Sequence, residues 1–285
     1  MTDIGSAAAL AVLALLAARP ATADWPALAS GPLQDNSFLV EEAYNQEEGV
    51  VQHIVSGTYD RRTGDWTATY TQEWPAWGVT HQLSFTVPFQ WAAGPGAGRG
   101  VGDVLLNYRY QLLKDEGRRP AMAPRVSLIL PTGSFKEGLG NGSAGVQLLL
   151  PVSKQFNNHW AGHVNLGVTV VPHARVPEAP PRSESLTSWN GGASLIWEPV
   201  DAINLLGEFV ASRDEEIEGR GVADKTRATF NPGVRVGWNG PGGVQWVWGL
   251  AFPIGLTRNA DAFGVFLYFS AEHAVTAKAQ ANRQW

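Results

Sequence analysis

The sequence predicts an all-β fold: a single-domain, antiparallel transmembrane β-barrel of about twelve strands, preceded by a signal peptide. Three observations carry that prediction. The composition is poor in charge and rich in Trp and Gly, strand-length runs alternate in polarity along most of the chain, and the connections between them alternate between long and short.

The composition narrows the classes first. Of 285 residues, 44% are hydrophobic and only 16% charged, with 32 Gly, 12 Trp and no Cys. A soluble domain carries about a quarter charged residues. The mean hydropathy of -0.12 is too polar for a bundle of membrane helices. No apolar run reaches the roughly 20 residues that a spanning helix needs. A net charge of -5 argues against a nucleic-acid partner held by phosphate contacts. Without Cys there are no disulfides, no thiolate chemistry and no Cys-ligated metal.

The N-terminus reads as an export signal. Residues 7–18 (AAALAVLALLAA) form an apolar core of signal-peptide length, and Ala21-Thr22-Ala23 is an A-x-A cleavage pattern before Asp24-Trp25. The segment before it lacks Lys and Arg and contains Asp3, a departure from the usual basic start. The chain therefore divides into a signal peptide (1–23), a segment lying in the periplasm or folded into the lumen as a plug (24–48), the barrel (49–273) and a tail with little pattern (274–285).

Within the barrel, residues 80–90 place Leu83, Phe85, Val87 and Phe89 opposite Gln82, Ser84 and Thr86. Residues 103–113 place Leu106, Tyr108 and Tyr110 opposite Asn107, Arg109 and Gln111. Runs 160–170 and 244–254 behave alike. Successive strand residues face opposite sides, so each run has one apolar and one polar or small face. Trp74, Trp77, Trp160, Trp197 and Trp238 fall at one set of strand ends and Trp66, Trp91 and Trp189 at the other. Aromatics at both ends suit the two headgroup boundaries of a bilayer and have no purpose in a soluble sandwich. Long connections are expected at 91–101, 132–143, 172–186 and 212–225, and short ones at 75–78, 154–158, 198–201 and 239–242. Pro88, Pro131, Pro172 and Pro253 stand at the outer strand ends, where a missing N–H costs least.

Chemistry-bearing patterns are weak. Residues 138–142 (GLGNG) lack the Lys of a phosphate loop and lead into a strand. His159 and His163 would lie about 13 Å apart on a strand, too far to share a metal ion. His81 and Ser84 point to opposite faces, which disfavours a lipid hydrolase. The acidic stretch 213–220 (RDEEIEGR) reads as a solvated outer loop. No catalytic residue, metal site or cofactor is expected. The informative residues are charges on the inward face: Glu73, Arg109, Arg125, Glu208, Arg235 and Glu272. Facing lipid, such a group would cost about 2–4 kcal/mol at mid-membrane. Inside, they either brace the wall as a salt-bridge network or filter solutes as pore-lining charges. Glu41, Glu42, Tyr44, Asn45 and Gln46 are the candidate plug.

Residues 37–53 (SFLVEEAYNQEEGVVQH), 71–74 (TQEW), 102–113 (GDVLLNYRYQLL), 124–133 (PRVSLILPTG) and 264–273 (GVFLYFSAEH) resemble the MetA-pathway family of phenol degradation. The resemblance implies an outer-membrane β-barrel of the transporter type and carries over no catalytic residues. The combined expectation is a passive transporter or channel for a small, aromatic or poorly charged solute in a Gram-negative outer membrane. Its expected partners are outer-membrane lipids and lipopolysaccharide, the solute and the barrel-assembly machinery. The rival readings are an outer-membrane lipid hydrolase and a closed structural or adhesive barrel acting through its outer loops.

Overall fold

The computed structural model describes residues 33, 37–93, 98–176, 182–218, 221–261 and 263–283. The expected signal peptide, 1–23, lies outside them. Twelve antiparallel strands form a closed barrel. They are β1 (Val50–Asp60), β2 (Trp66–Pro75), β3 (His81–Trp91), β4 (Arg99–Val101 with Val104–Tyr110), β5 (Ala121–Met122 with Arg125–Leu130) and β6 (Gly145–Asn157). Then follow β7 (Trp160–Val176), β8 (Arg182–Val200), β9 (Ile203–Glu218), β10 (Gly221–Gly240), β11 (Val244–Ala251 with Ile254–Gly255) and β12 (Gly264–Ala274). Each strand pairs with its sequence neighbours. β12 returns to β1, from Val50↔Ala274 to Asp60↔Gly264, and so leaves no free edge. Two of the three interruptions contain Pro124 and Pro253, which have no N–H to give the ladder. The third is a bulge at Gly102-Asp103.

Burial is inverted relative to a soluble protein. Gln52, Gln82, Asn107, Ser127, Ser153, Asn204, Asn231 and Arg235 are buried, whereas Leu106, Leu128, Leu148, Leu166, Leu195, Phe209 and Leu267 are exposed. The alternation explains this: residue i faces lipid and residue i+1 faces the lumen. Register follows from the same pattern, because a one-residue slip would turn a row of polar groups toward lipid. Aromatics gather at both rims. Trp66 pairs with Trp91 at the rim away from the termini, the upper rim. At the lower rim, where the chain enters and leaves, Trp160 stacks on Trp197 (6.2 Å) and Trp238 on Trp248 (6.4 Å).

The upper rim departs from the sequence expectation. Much of 172–186 and 212–225 is strand, not loop: β7 runs to Val176, β8 starts at Arg182, and Glu218 pairs directly with Gly221. Cross-strand ion pairs extend the β9–β10 hairpin, with Arg213–Asp224 at 2.8 Å, Arg227–Asp214 at 2.8 Å and Lys225–Glu218 at 3.1 Å. Above the bilayer charge carries no lipid penalty, so a charge-rich stretch can continue the ladder. The acidic stretch is thus one side of a paired hairpin over residues 213–218. Pro172 does not end β7. It lies at a register shift where His173 takes φ 60, and pairing resumes beyond it.

The lipid-facing assignment is testable at Leu166, 62% exposed on β7. Leu166→Arg should cost about 2–4 kcal/mol, measured by urea unfolding of the vesicle-inserted protein. A loss below about 0.5 kcal/mol, the level of an ordinary surface substitution, would overturn the assignment.

Candidate functional site: the lumen and the segment inside it

The site begins with a stretch that makes no ladder. Residues 37–46 enter the barrel from the lower rim, rise to about mid-height at Leu39 and Val40, and descend to the lower rim before β1. The route is fixed by contacts. Leu33 lies against Gly237 near the lower rim, and Phe38 packs on Phe266 (5.3 Å) and Tyr268 (5.5 Å). Glycines make the space: a Cβ on Gly233 or Gly249 would overlap the Phe38 ring, and one on Gly237 would overlap Leu33. Leu33, Phe38, Ile196, Leu206 and Val247 thereby form an apolar cluster inside an otherwise polar lumen.

Irregular chain inside a barrel has backbone groups that neither water nor a ladder fully satisfies, and each costs free energy if left unpaired. Lumen side chains take that role. Glu208, fully buried, accepts the N–H groups of Leu39 (2.8 Å) and Val40 (3.1 Å) on one oxygen and Asn231 (2.7 Å) on the other. Arg109 donates to the Glu42 carbonyl (3.1 Å), the Tyr44 carbonyl (2.7 Å) and Asn45 Oδ1 (3.0 Å). Its planar fork spreads donors on three nitrogens over three separate acceptors, where a Lys would offer a single nitrogen. Ser153 Oγ accepts from Ala43 N–H (2.7 Å), Gln111 from Asn45 N–H (3.0 Å) and Gln82 from Gln46 N–H (2.7 Å). Asn165, with its amide turned to match its neighbours, accepts from Glu41 N–H (2.7 Å) and donates to the Glu41 carbonyl (2.9 Å).

All six inward charges lie on the lumen side. Arg125 pairs with Glu41 (2.9 Å), and Arg235 donates to the Leu33 carbonyl (3.1 Å). Glu73 accepts from Gln82 (2.7 Å) and sits 3.9 Å from Arg109. Glu272 accepts from Gln46 (3.3 Å). Among the described ion pairs, Arg109–Glu73 is the one that joins two of the six. Arg109, Arg125, Glu208, Arg235 and Glu272 each bond to residues of the segment between 33 and 46. Of the candidate segment residues, Glu41, Asn45 and Gln46 bond to the wall through side chain and backbone. Glu42 offers its carbonyl, and Tyr44 its carbonyl and hydroxyl. Sequence reasoning passed over Leu33, Phe38, Ser153 and the three glycines. The glycines alone left a mark, as small residues on inward strand positions.

At the lower rim the Tyr44 hydroxyl donates to Asp115 (3.1 Å) in the β4–β5 turn, and Asp115 also pairs with Lys154 and accepts Gln155 N–H (2.7 Å). Burial pushes the Tyr44 hydroxyl pKa up, and the Asp115 carboxylate pushes it further. Burial alone would raise Asp115 as well, but Lys154, Gln155 N–H and Tyr44 hold it below the usual carboxylate range. Two cavities lie against the described part of the segment. A cavity of about 330 Å³ above its tip is lined by Leu39, Val40, Asn190, Val210 and Arg227. One of about 240 Å³ below is lined by Leu33, Glu42, Tyr44, His163 and Arg235.

The serine–histidine geometry needed for a hydrolase is placed as follows. His81 bonds Tyr108 (2.7 Å) on the outer face, and Ser84 is buried in the lumen. Ser153 and His163 do meet on adjacent strands, at 2.6 Å through Nδ1. Ser153 is only 1% exposed and its oxygen already receives Ala43 N–H, so it holds the segment rather than facing a substrate.

No protein-family model and no curated protein matches the chain. Solved structures do. The COG4313 outer membrane channel from Pseudomonas putida F1 superposes with a TM-score of 0.62 at 15% identity, covering 81% of this chain and 97% of that one. The fold is that of an outer-membrane β-barrel. The NanC porin gives a TM-score of 0.52 at 7% identity, covering 78% of this chain and 98% of that one. Closure, the lipid-facing apolar belt and two aromatic rims place such a barrel in a Gram-negative outer membrane.

Two outcomes follow from these bonds. Glu208→Ala leaves two segment N–H groups without an acceptor. It should cost about 1–3 kcal/mol for each, read by urea unfolding; a neutral result would mean that the segment does not depend on this carboxylate. For Asp115, a lowered carboxylate stabilises the fold above the ordinary value of 3.8 and loses that contribution as pH falls through its lower folded value. Asp115→Asn should therefore be less stable than the parent at neutral pH, and the gap should close below about pH 4. A gap independent of pH would remove the carboxylate from the account.

Proposed function

We propose that the chain is a passive outer-membrane channel for small solutes, kept narrow by its own N-terminal segment. The observation that carries this reading is the irregular chain inside the lumen, held through side-chain bonds, with a cavity on either side of it. Eight-stranded barrels are filled by their own side chains and sixteen-stranded porins are open. A twelve-stranded wall with an inserted segment lies between the two. On this reading residues 24–48 remain after the signal peptide 1–23 is removed, and Glu41, Glu42, Tyr44, Asn45 and Gln46 are the plug. Glu73, Arg109, Arg125, Glu208, Arg235 and Glu272 line the path and hold the plug.

The names of the similar structures, a channel and a porin, support transport over catalysis. The upper chamber suits a weakly charged solute. Its floor is Leu39 and Val40, its walls offer Asn190 and Val210, and the one guanidinium, Arg227, is already paired with Asp214 and Glu216. That agrees with the resemblance to the MetA-pathway family, whose name points to aromatic compounds. Lipopolysaccharide and the barrel-assembly machinery are the partners that this location brings.

Single-channel conductance in planar bilayers, with and without residues 24–48, tests the reading. The full chain should give small, infrequent openings, and the shortened chain steady openings of higher conductance. Silence from both, with each folded and inserted, would transfer the function to a closed barrel acting through its outer surface.

A further inference from the structure

Beyond β12 the chain folds back under the barrel. Val275 donates its N–H to the Gly49 carbonyl (2.8 Å), and Thr276 caps a short helix, α1 (Ala277–Asn282), by accepting from Ala279 N–H (3.2 Å). Gly49, at φ 76, has no Cβ to meet Thr276. The helix buries Ala279 and returns Arg283 to the lower opening of the lumen. Arg283 is 6% exposed, donates from Nη2 to Glu272 Oε2 (2.5 Å) and places Nε 3.5 Å from Glu47 Oε2. The other oxygen of Glu272 accepts from Gln46 Nε2 (3.3 Å), and Gln46 Nε2 also donates to Gln52 (2.5 Å). Tail, wall and the end of the inserted segment thus form one line of bonds: Arg283, Glu272, Gln46. Gly243, at φ 74 in the β10–β11 turn, leaves room for the Arg283 backbone, which a Cβ there would approach to 3.0–3.1 Å.

We propose that the C-terminal tail is a latch for the N-terminal segment. This inference rests on the reading of that segment as the constriction of a channel. Arg283 sits at the lower opening and holds the Glu272 carboxylate in the orientation that grips Gln46. A buried guanidinium between carboxylates is favourable only while paired. Its removal takes the guanidinium from Oε2 of the buried Glu272 and from Glu47. The same loss weakens the hold on Gln46, the point where the segment joins β1. The tail beyond Val275 can leave without breaking the barrel, because its described residues, 276–283, belong to no strand and bury only Ala279 and Arg283.

Arg283→Gln, recorded in planar bilayers beside the parent and beside both sequences lacking residues 24–48, tests the latch. The substitution should raise the open time of the full chain roughly tenfold and change nothing once residues 24–48 are gone. An unchanged full chain, with the shortened chain open, would overturn the latch and leave the constriction standing. An equal rise in both backgrounds would make the tail a direct block of the opening, and would also overturn it. Silence of the shortened parent would remove the constriction and the latch together. A second measurement needs no current. Ala43→Cys, in a chain without other thiols, puts a reporter at a fully buried position between Glu41 and Gln46. A membrane-impermeant maleimide should label it faster in Arg283→Gln than in the parent, and equal rates would overturn the latch.

Discussion

The structure depends on one constraint: peptide groups placed inside a barrel need hydrogen-bond partners, and an irregular segment cannot supply its own. The strands of the wall meet that need through the ladder. Residues 37–46 cannot, and the lumen is built around their deficit. Glu208 takes two consecutive N–H groups, Arg109 takes two carbonyls and an amide oxygen, and Gln82, Gln111 and Ser153 take one N–H each. A charged partner serves better than a neutral one here, because charge-assisted bonds are roughly twice as strong and a guanidinium or carboxylate offers several sites. The inward charges are therefore explained first by the chain they hold, and only then by anything that passes them.

The same accounting explains the mixed polarity of the lumen. The side of the barrel formed by β10, β11 and β12 meets Phe38 and Leu33, and there Gly233, Gly237, Gly249, Val247 and Phe266 make a small and apolar patch among inward polar residues such as Asn231, Arg235 and Glu272. The side formed by β3 to β7 meets the backbone from Glu41 to Gln46, and there most inward positions are polar, with Gln82, Asn107, Arg109, Ser127, Ser153 and Asn165 among them. One segment with an apolar tip and a polar descent thus dictates two kinds of wall. The outer face, solvated by lipid throughout, shows no such division.

This difference governs what was legible in the sequence. The strand runs were, because lipid imposes an apolar residue at every second position; residues 80–90 and 160–170 coincide with β3 and the lower part of β7. The inward orientation of Glu73, Arg109, Arg125, Glu208, Arg235 and Glu272 followed from the same parity. The hairpin extensions above the bilayer were not legible, because the lipid rule ends where water begins. There, cross-strand pairs such as Arg213–Asp224 replace alternation, and their partners are fixed only by the register of the hairpin, which no period announces. The bonds of the segment left no periodic trace either. A carboxylate on β9 that answers the N–H groups of residues 39 and 40 is a relation between two places in the fold, with no local pattern at either. The tail escaped for a similar reason, since one Arg in a polar stretch does not announce that it is buried.

The manner of attachment also bears on reversibility. A segment woven into the sheet would leave only with the barrel, whereas this one is held by discrete bonds of about 0.5–1.5 kcal/mol net each, and somewhat more where charged. Water entering behind a departing segment can take over each lumen group in turn, so departure need not proceed in one step. The Phe38 cluster is the exception, because water cannot replace its contacts with Phe266 and Tyr268. The glycines that admit Phe38 would then be left facing a void or water. Phe38 is thus the contact that opposes complete withdrawal, and the polar descent from Glu41 to Gln46 is the part that can loosen first. The geometry favours partial opening along the side of β3 to β7, where the wall is already polar and can be wetted without exposing an apolar surface.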